Sequence, residues 1–115
     1  MKEGLFPDYM HKEMQRTILK MVILLKASRG KVYPYSLVKR LGKEKFFHYT
    51  ETDLKNDVYN SINALEHIGL IEVSGRSDGK RAKTYYTITK KGRKALKSAL
   101  EMRLKTMTYM KKLLK

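Results

Sequence analysis

A mainly α-helical fold with one small β-hairpin and long helices at both ends is predicted by three observations in this 115-residue sequence. Apolar residues recur at three- and four-residue steps in four segments. Two short stretches alternate apolar and polar residues on either side of a basic, turn-rich segment. The order of these elements leaves a helix at each end of the chain. The length supports one domain with a single modest core.

The first helix is expected over residues 8–27, where Met10, Met14, Ile18, Met21, Val22 and Leu25 keep the helical step. Leu19, Ile23 and Leu24 widen that stripe, so the helix should be buried on two sides. Ser28, Arg29 and Gly30 end it, and residues 31–33 form a very short strand. Pro34 suits a first helical turn, where its missing N–H is not needed, and opens a second helix over 35–41 that Gly42 closes. Residues 43–50 show no period and read as a loop whose Phe46 and Phe47 pack against the domain. Thr52 caps a third helix that turns Leu54, Val58, Ile62 and Leu65 inward and stops at Gly69. Strands over 70–74 and 85–89 flank a hairpin rich in Gly, Ser, Lys and Arg. Thr89 caps a last helix over 90–114, about 37 Å long at roughly 1.5 Å per residue. Such a helix outruns a domain this small.

Helix, short strand, two helices, hairpin and helix is the order of a winged helix-turn-helix. Residues 8–89 are expected to form the DNA-binding body, and residues 90–115 a dimerisation helix of the same unit. The third helix of such a fold fits the major groove of double-stranded DNA, and the hairpin lays basic side chains along the phosphates. Charge agrees with this reading. Residues 1–75 carry 12 basic and 9 acidic groups, whereas residues 76–115 carry 14 and 2. A local excess of that size attracts phosphate backbones and releases their counterions. Taken alone, an anionic membrane or an acidic protein would satisfy it as well.

Two segments carry a family pattern: YNSINALEHIGLI (59–71), with Tyr59, Ile62, Leu65, Glu66, Gly69, Leu70 and Ile71, and KTYYTITKKGRKAL (83–96), with its paired tyrosines, Ile-Thr and Gly-Arg-Lys-Ala-Leu. The first is similar to the Tyr, Leu, Leu, Glu and Gly-Leu-Ile pattern of the PadR-type transcriptional regulators, and the second resembles their Tyr-Tyr segment, Leu-Thr and Gly-Arg-x-Ala-Leu. YPYSLVKRL (33–41) looks like the family's His-Gly-Tyr-x-Leu, with Tyr35 and Leu37 in register. The resemblance covers about residues 18–96 and implies a homodimeric repressor on a palindromic operator. Asn56-Asp57 stands where the family has Gly followed by Ser or Thr, so the third helix is expected to start earlier or to contact its operator differently.

On the recognition helix, Lys55, Asn56, Tyr59, Asn60 and Asn63 are the candidate DNA contacts. An Asn amide pairs bidentately with adenine, discriminating by about 1–3 kcal/mol. The same helix carries Glu51, Asp53, Asp57 and Glu66, which oppose phosphates; Asp53 and Asp57 read as structural, near the helix start. Tyr59 either reaches the nucleic acid or packs at the base of the wing. On the wing, Arg76, Lys80, Arg81 and Lys83 are the candidate phosphate contacts. Leu96, Leu100, Met107, Met110 and Leu114 form a heptad-like seam, interrupted by Arg103, for pairing with a second copy.

No enzyme, cofactor or metal site is expected. Gly75 to Arg81 has the wrong glycine spacing and context for a phosphate loop, and His11, His48 and His67 lack ligand spacing. Absence of cysteine excludes disulfides and thiolate metal sites. Residues 1–10 contain no apolar signal core, so a cytoplasmic protein without membrane contact is expected. Two other classes fit parts of the pattern. One is a chromatin-like or RNA-binding protein that does not read sequence; the other is a winged-helix protein adaptor, which the acidic third helix leaves open.

Overall fold

The computed structural model describes residues 8–45, 49–79 and 82–115. The chain runs α1 (Asp8–Ser28), α2 (Pro34–Glu44), α3 (Glu51–His67), β1 (Ile71–Ser77), β2 (Lys83–Ile88) and α4 (Lys90–Leu113). This is the winged helix-turn-helix order. The core joins Leu19, Ile23, Leu24 and Ala27 of α1 to Leu37 and Leu41 of α2, Leu54, Val58, Ile62 and Leu65 of α3, and Ile71, Ile88 and Leu96. The third helix therefore turns inward the four residues its period predicts.

The first helix has two apolar faces of equal helical step, and the structure buries Leu19, Ile23 and Ala27 rather than the Met10, Met14 and Leu25 stripe, which stays exposed. Met21, on that outer stripe, accepts a hydrogen bond from Arg103 Nε of α4 at 3.3 Å. The outer stripe of α1 thus runs beside the last helix instead of into the core.

Three expected boundaries move. Helix α2 passes through Gly42 to Glu44 and ends on Lys45, which takes a left-handed φ of 51° and returns its N–H to the Leu41 carbonyl. A glycine inside a helix costs only about 1 kcal/mol, and Gly42 lies against Leu54, 3.8 Å from where its side chain would begin. Helix α3 is capped by Thr50 rather than Thr52: the Asp53 N–H donates to Thr50 Oγ1 at 3.1 Å. Such a cap stabilises by about 1 kcal/mol. The hairpin strands reach further towards the tip than expected, since Gly75, Arg76 and Ser77 pair with Tyr85, Thr84 and Lys83, while a bulge at Ser74 absorbs the extra residue. The short strand expected over 31–33 is a bridge, with Val32 and Tyr86 exchanging both backbone hydrogen bonds at 2.8 and 2.9 Å. Phe46 and Phe47 lie outside the described residues.

One junction holds three elements together. Thr89 accepts from the Gly92 N–H at 2.9 Å, capping α4, while its hydroxyl donates to the Gly69 carbonyl at 2.7 Å and its N–H to Leu70 at 3.0 Å. Gly69 makes the turn at φ +81°, and Lys91 Nζ donates to the Ile68 carbonyl at 2.8 Å, satisfying the end of α3. Beyond Leu96, no residue of α4 is fully buried within the chain, and only Ala99 and Arg103 are half-buried. The molecule measures 57 × 37 × 22 Å, with a radius of gyration of 16.0 Å against about 13 Å for a compact chain of this length.

Candidate nucleic-acid interface

Sorting of charge around α3 determines what the helix presents. At about 3.6 residues per turn, Asn56, Asn60, Asn63 and His67 fall on one stripe opposite Leu54, Val58 and Leu65. All four polar residues are exposed. Of the four acids only Asp53 shares that stripe, at its N-terminal end one turn ahead of Asn56. Asp53 and Glu51 occupy the first turn, where negative charge complements the helix dipole. Asp57 is turned towards α1, where its carboxylate meets Arg16 Nε at 3.8 Å. Glu66 lies on the opposite flank, beyond Tyr59. Past its first turn, the outward stripe of this net-acidic helix is therefore free of acids.

Tyr49, immediately before the cap, anchors the same flank. Burial pushes its phenol far above the ordinary value of 10.0, and its hydrogen bond to Asp57 and that residue's charge add to the shift. The Tyr86 phenol is raised in the same direction, first by burial and then by Glu66. A proton held more tightly by the folded state contributes stability below the unfolded pKa and loses it as pH rises above about 10. Stability is therefore expected to fall across pH 10–11.5. Tyr49→Phe should flatten that fall, as measured by urea unfolding at stepped pH; an unchanged alkaline slope would exclude Tyr49 as its source.

Lys55 and Tyr59 flank the outward stripe on the side of α2 and, with Tyr35 and Lys39, line a groove of about 740 Å³ between the two helices. Tyr59 is thus at the α2–α3 groove and not at the base of the wing. On the wing, Arg76 is exposed, and Lys83 holds its ammonium 5.2 Å from the centre of the Tyr33 ring. Lys80 and Arg81, at the tip, lie outside the described residues.

An aromatic cluster that the sequence reading did not single out joins the wing to α2. Alternation along β2 turns Tyr86 inward and Tyr85 outward, where Tyr85 lies 5.7 Å from Tyr33, itself 6.2 Å from Tyr35. Lysines sit over these rings: Lys31 over Tyr85 at 5.8 Å and Lys39 over Tyr35 at 5.2 Å. Cation–π contacts of this kind hold ammonium groups at a surface without neutralising them. The signal was present in KVYPY (31–35) and KTYY (83–86), each with a lysine two residues before a tyrosine, but Lys31 and Lys83 lie about 50 residues apart.

The five seam residues of α4 divide. Leu96 is only 7% exposed and belongs to the chain's own core, whereas Leu100, Met107, Met110 and Leu114 are 40, 53, 47 and 86% exposed. Among the described residues no three His, Cys, Asp or Glu side chains are grouped to hold a metal, and no helix is long and apolar enough to cross a membrane.

The fold recurs in solved structures. A PadR family regulator from Eggerthella lenta is 26% identical and superposes with a TM-score of 0.76 over 94% of this chain and 91% of its own. A transcriptional regulator from Clostridium thermocellum, also 26% identical, gives 0.71 over 90% and 96%. Bacillus subtilis PadR, solved in complex with operator DNA, shares the fold at 23% identity and a TM-score of 0.61 over 72% of this chain and 46% of its own. No curated protein matches the chain. The family model described as transcriptional regulator PadR-like matches residues 23–98, from the core of α1 through the wing and the Thr89–Gly92 junction, and the chain belongs to that family.

Proposed function

We propose that this chain is a DNA-binding transcriptional regulator, a homodimeric repressor that works in the cytoplasm on a palindromic operator and not as an enzyme. The observation that carries the reading is the polar stripe of α3, free of acids past its first turn, beside the basic wing, with Asp57 turned away onto Arg16. Asn56, Asn60 and Asn63 are the base readers, with Lys55 and Tyr59 beside them; Arg76, Lys80, Arg81 and Lys83 position the duplex through its phosphates. Residues 90–115 form the dimerisation helix, through Leu100, Met107, Met110 and Leu114. Two copies related by a two-fold axis present their α3 helices to half-sites about one helical turn apart. The operator complex of the similarly folded Bacillus subtilis PadR supports the DNA assignment.

Salt-titrated binding to an operator and to a random duplex tests the reading. Arg76→Ala with Lys83→Ala should weaken both duplexes alike and reduce the slope of log K against log salt by about 2. Asn60→Ala or Asn63→Ala should cost about 1–3 kcal/mol on the operator alone. Equal wild-type affinity for every duplex, falling together with salt, would replace the regulator with a protein that binds nucleic acid without reading sequence.

A further inference from the structure

We propose that the cleft between the end of α1, the far flank of α2 and strand β2 binds a small phosphorylated aromatic molecule with the chemistry of a nucleotide. The cleft has a volume of about 470 Å³, inside the range of about 300–1,000 Å³ for small-molecule sites. Lys26, Arg29, Lys31 and Arg40 line it together with the rings of Tyr33 and Tyr85, and no acidic residue does. Among the described residues Lys26 alone of the four cations has a carboxylate partner, Glu44 at 3.6 Å. Several like charges in one concavity repel each other until an anion enters, and guanidinium groups bind phosphate oxygens in a forked, two-point fashion.

The start of α2 adds to the attraction. Tyr33, at its N-cap, makes no side-chain cap, and no acid occupies the first turn, so the positive end of the helix dipole is uncompensated beside the cleft. The rings set the rest of the ligand. Tyr33 and Tyr85 lie 5.7 Å apart at 45°, offering aromatic surface beside the cations, on which a planar base stacks. Position excludes the bases read by α3: Ser36 and Arg40 line this cleft, whereas Val38 and Gly42 on the other flank of α2 face α3. The cleft adjoins the proposed operator contacts, since Lys83 sits 5.2 Å from the Tyr33 ring, and the experiment below separates the two.

Calorimetric titration of the full chain with ATP, adenosine and pyrophosphate tests it. At about 150 mM salt, ATP should bind saturably and about tenfold or more tighter than adenosine or pyrophosphate. Arg29→Ala with Arg40→Ala should weaken ATP binding about tenfold or more, with an unchanged melting temperature because both side chains are exposed. Lys97→Ala with Lys105→Ala, an equal loss of exposed charge on α4, should leave ATP binding as it was. Absence of saturable binding overturns the proposal. So do equal weakening by the two double variants, which means diffuse attraction, and pyrophosphate binding as tightly as ATP, which removes the aromatic half. If ATP fails to bind and Arg29→Ala with Arg40→Ala instead weakens a random duplex, the cleft belongs to the DNA backbone. Operator affinity of the unmodified chain, measured in parallel, separates failure here from failure of the regulator reading.

Discussion

Gly92→Ala is expected to lower stability by about 3 kcal/mol or more, a fall in Tm of about 12 °C or more for a domain of this size. A Cβ at this position would land on the Leu70 carbonyl oxygen and come within 2.7 Å of Ile88 Cγ1. Neither neighbour has room to retreat. The Leu70 carbonyl is held by the Thr89 N–H at 3.0 Å, the Leu70 N–H donates to the Leu65 carbonyl at 2.9 Å, and Ile88 is packed in the core. In most helices the same substitution is favourable, by about 1 kcal/mol, because alanine is the better helix former. The opposite sign makes the measurement diagnostic. Thermal unfolding followed by circular dichroism checks it, and an unchanged Tm would mean that α4 does not approach the Gly69–Leu70 turn as closely as described.

Leu100→Asp combined with Met107→Asp is expected to dissociate the dimer and to reduce affinity for a two-half-site operator by about 100-fold or more, leaving a single half-site bound as before. Both side chains are exposed on the isolated chain, so the changes spare its core. In a dimer they would place carboxylates inside an apolar seam, where desolvation opposes charge. The last helix gives the physical reason for a partner: past Leu96 only Ala99 and Arg103 are half-buried in its own chain, and most helical stability in proteins comes from packing an apolar face. The outer stripe of α1, including exposed Met10 and Met14, lies on the side where Met21 meets Arg103 and extends the same apolar surface. Sedimentation equilibrium with operator titration decides the matter. A wild-type chain that is monomeric at concentrations saturating the operator would remove the dimer from the proposal.

The helical residues most legible in the sequence were those whose period has one interpretation. Leu54, Val58, Ile62 and Leu65 form a single stripe on α3, and all four are buried. Helix α1 was harder because two stripes share its period, and spacing does not say which one meets the core. The true α3 cap is also written in the sequence. Thr50 is followed three residues later by Asp53, the pattern of an N-terminal capping motif, whereas Thr52 is followed at that spacing by Lys55. The strands outrun their sequence pattern because Gly75 and Ser77 have turn-like composition, and a bulge at Ser74 lets the ladder continue through them.

The matched motifs owe their spacing to packing more than to DNA contact. Gly69, Leu70, Thr89 and Gly92 come from segments 20 residues apart and meet in one hydrogen-bonded junction, which explains why the strongest resemblance reported the fold.

By itself the sequence determined the order of elements, the inward face of α3, the residues of that junction and the concentration of positive charge after residue 75. These are local or additive properties, carried by spacing and composition. Only the tertiary structure decided the character of the recognition face. A charge summed along a helix has no azimuth, and rotation about the helix axis, together with Arg16 on a distant helix, turns Asp57 aside while leaving the asparagines outward. Only the tertiary structure, likewise, brought Tyr33 to Tyr85 and gathered cations from α1 and α2 beside them, because antiparallel pairing of Val32 with Tyr86 joins residues that no local pattern connects.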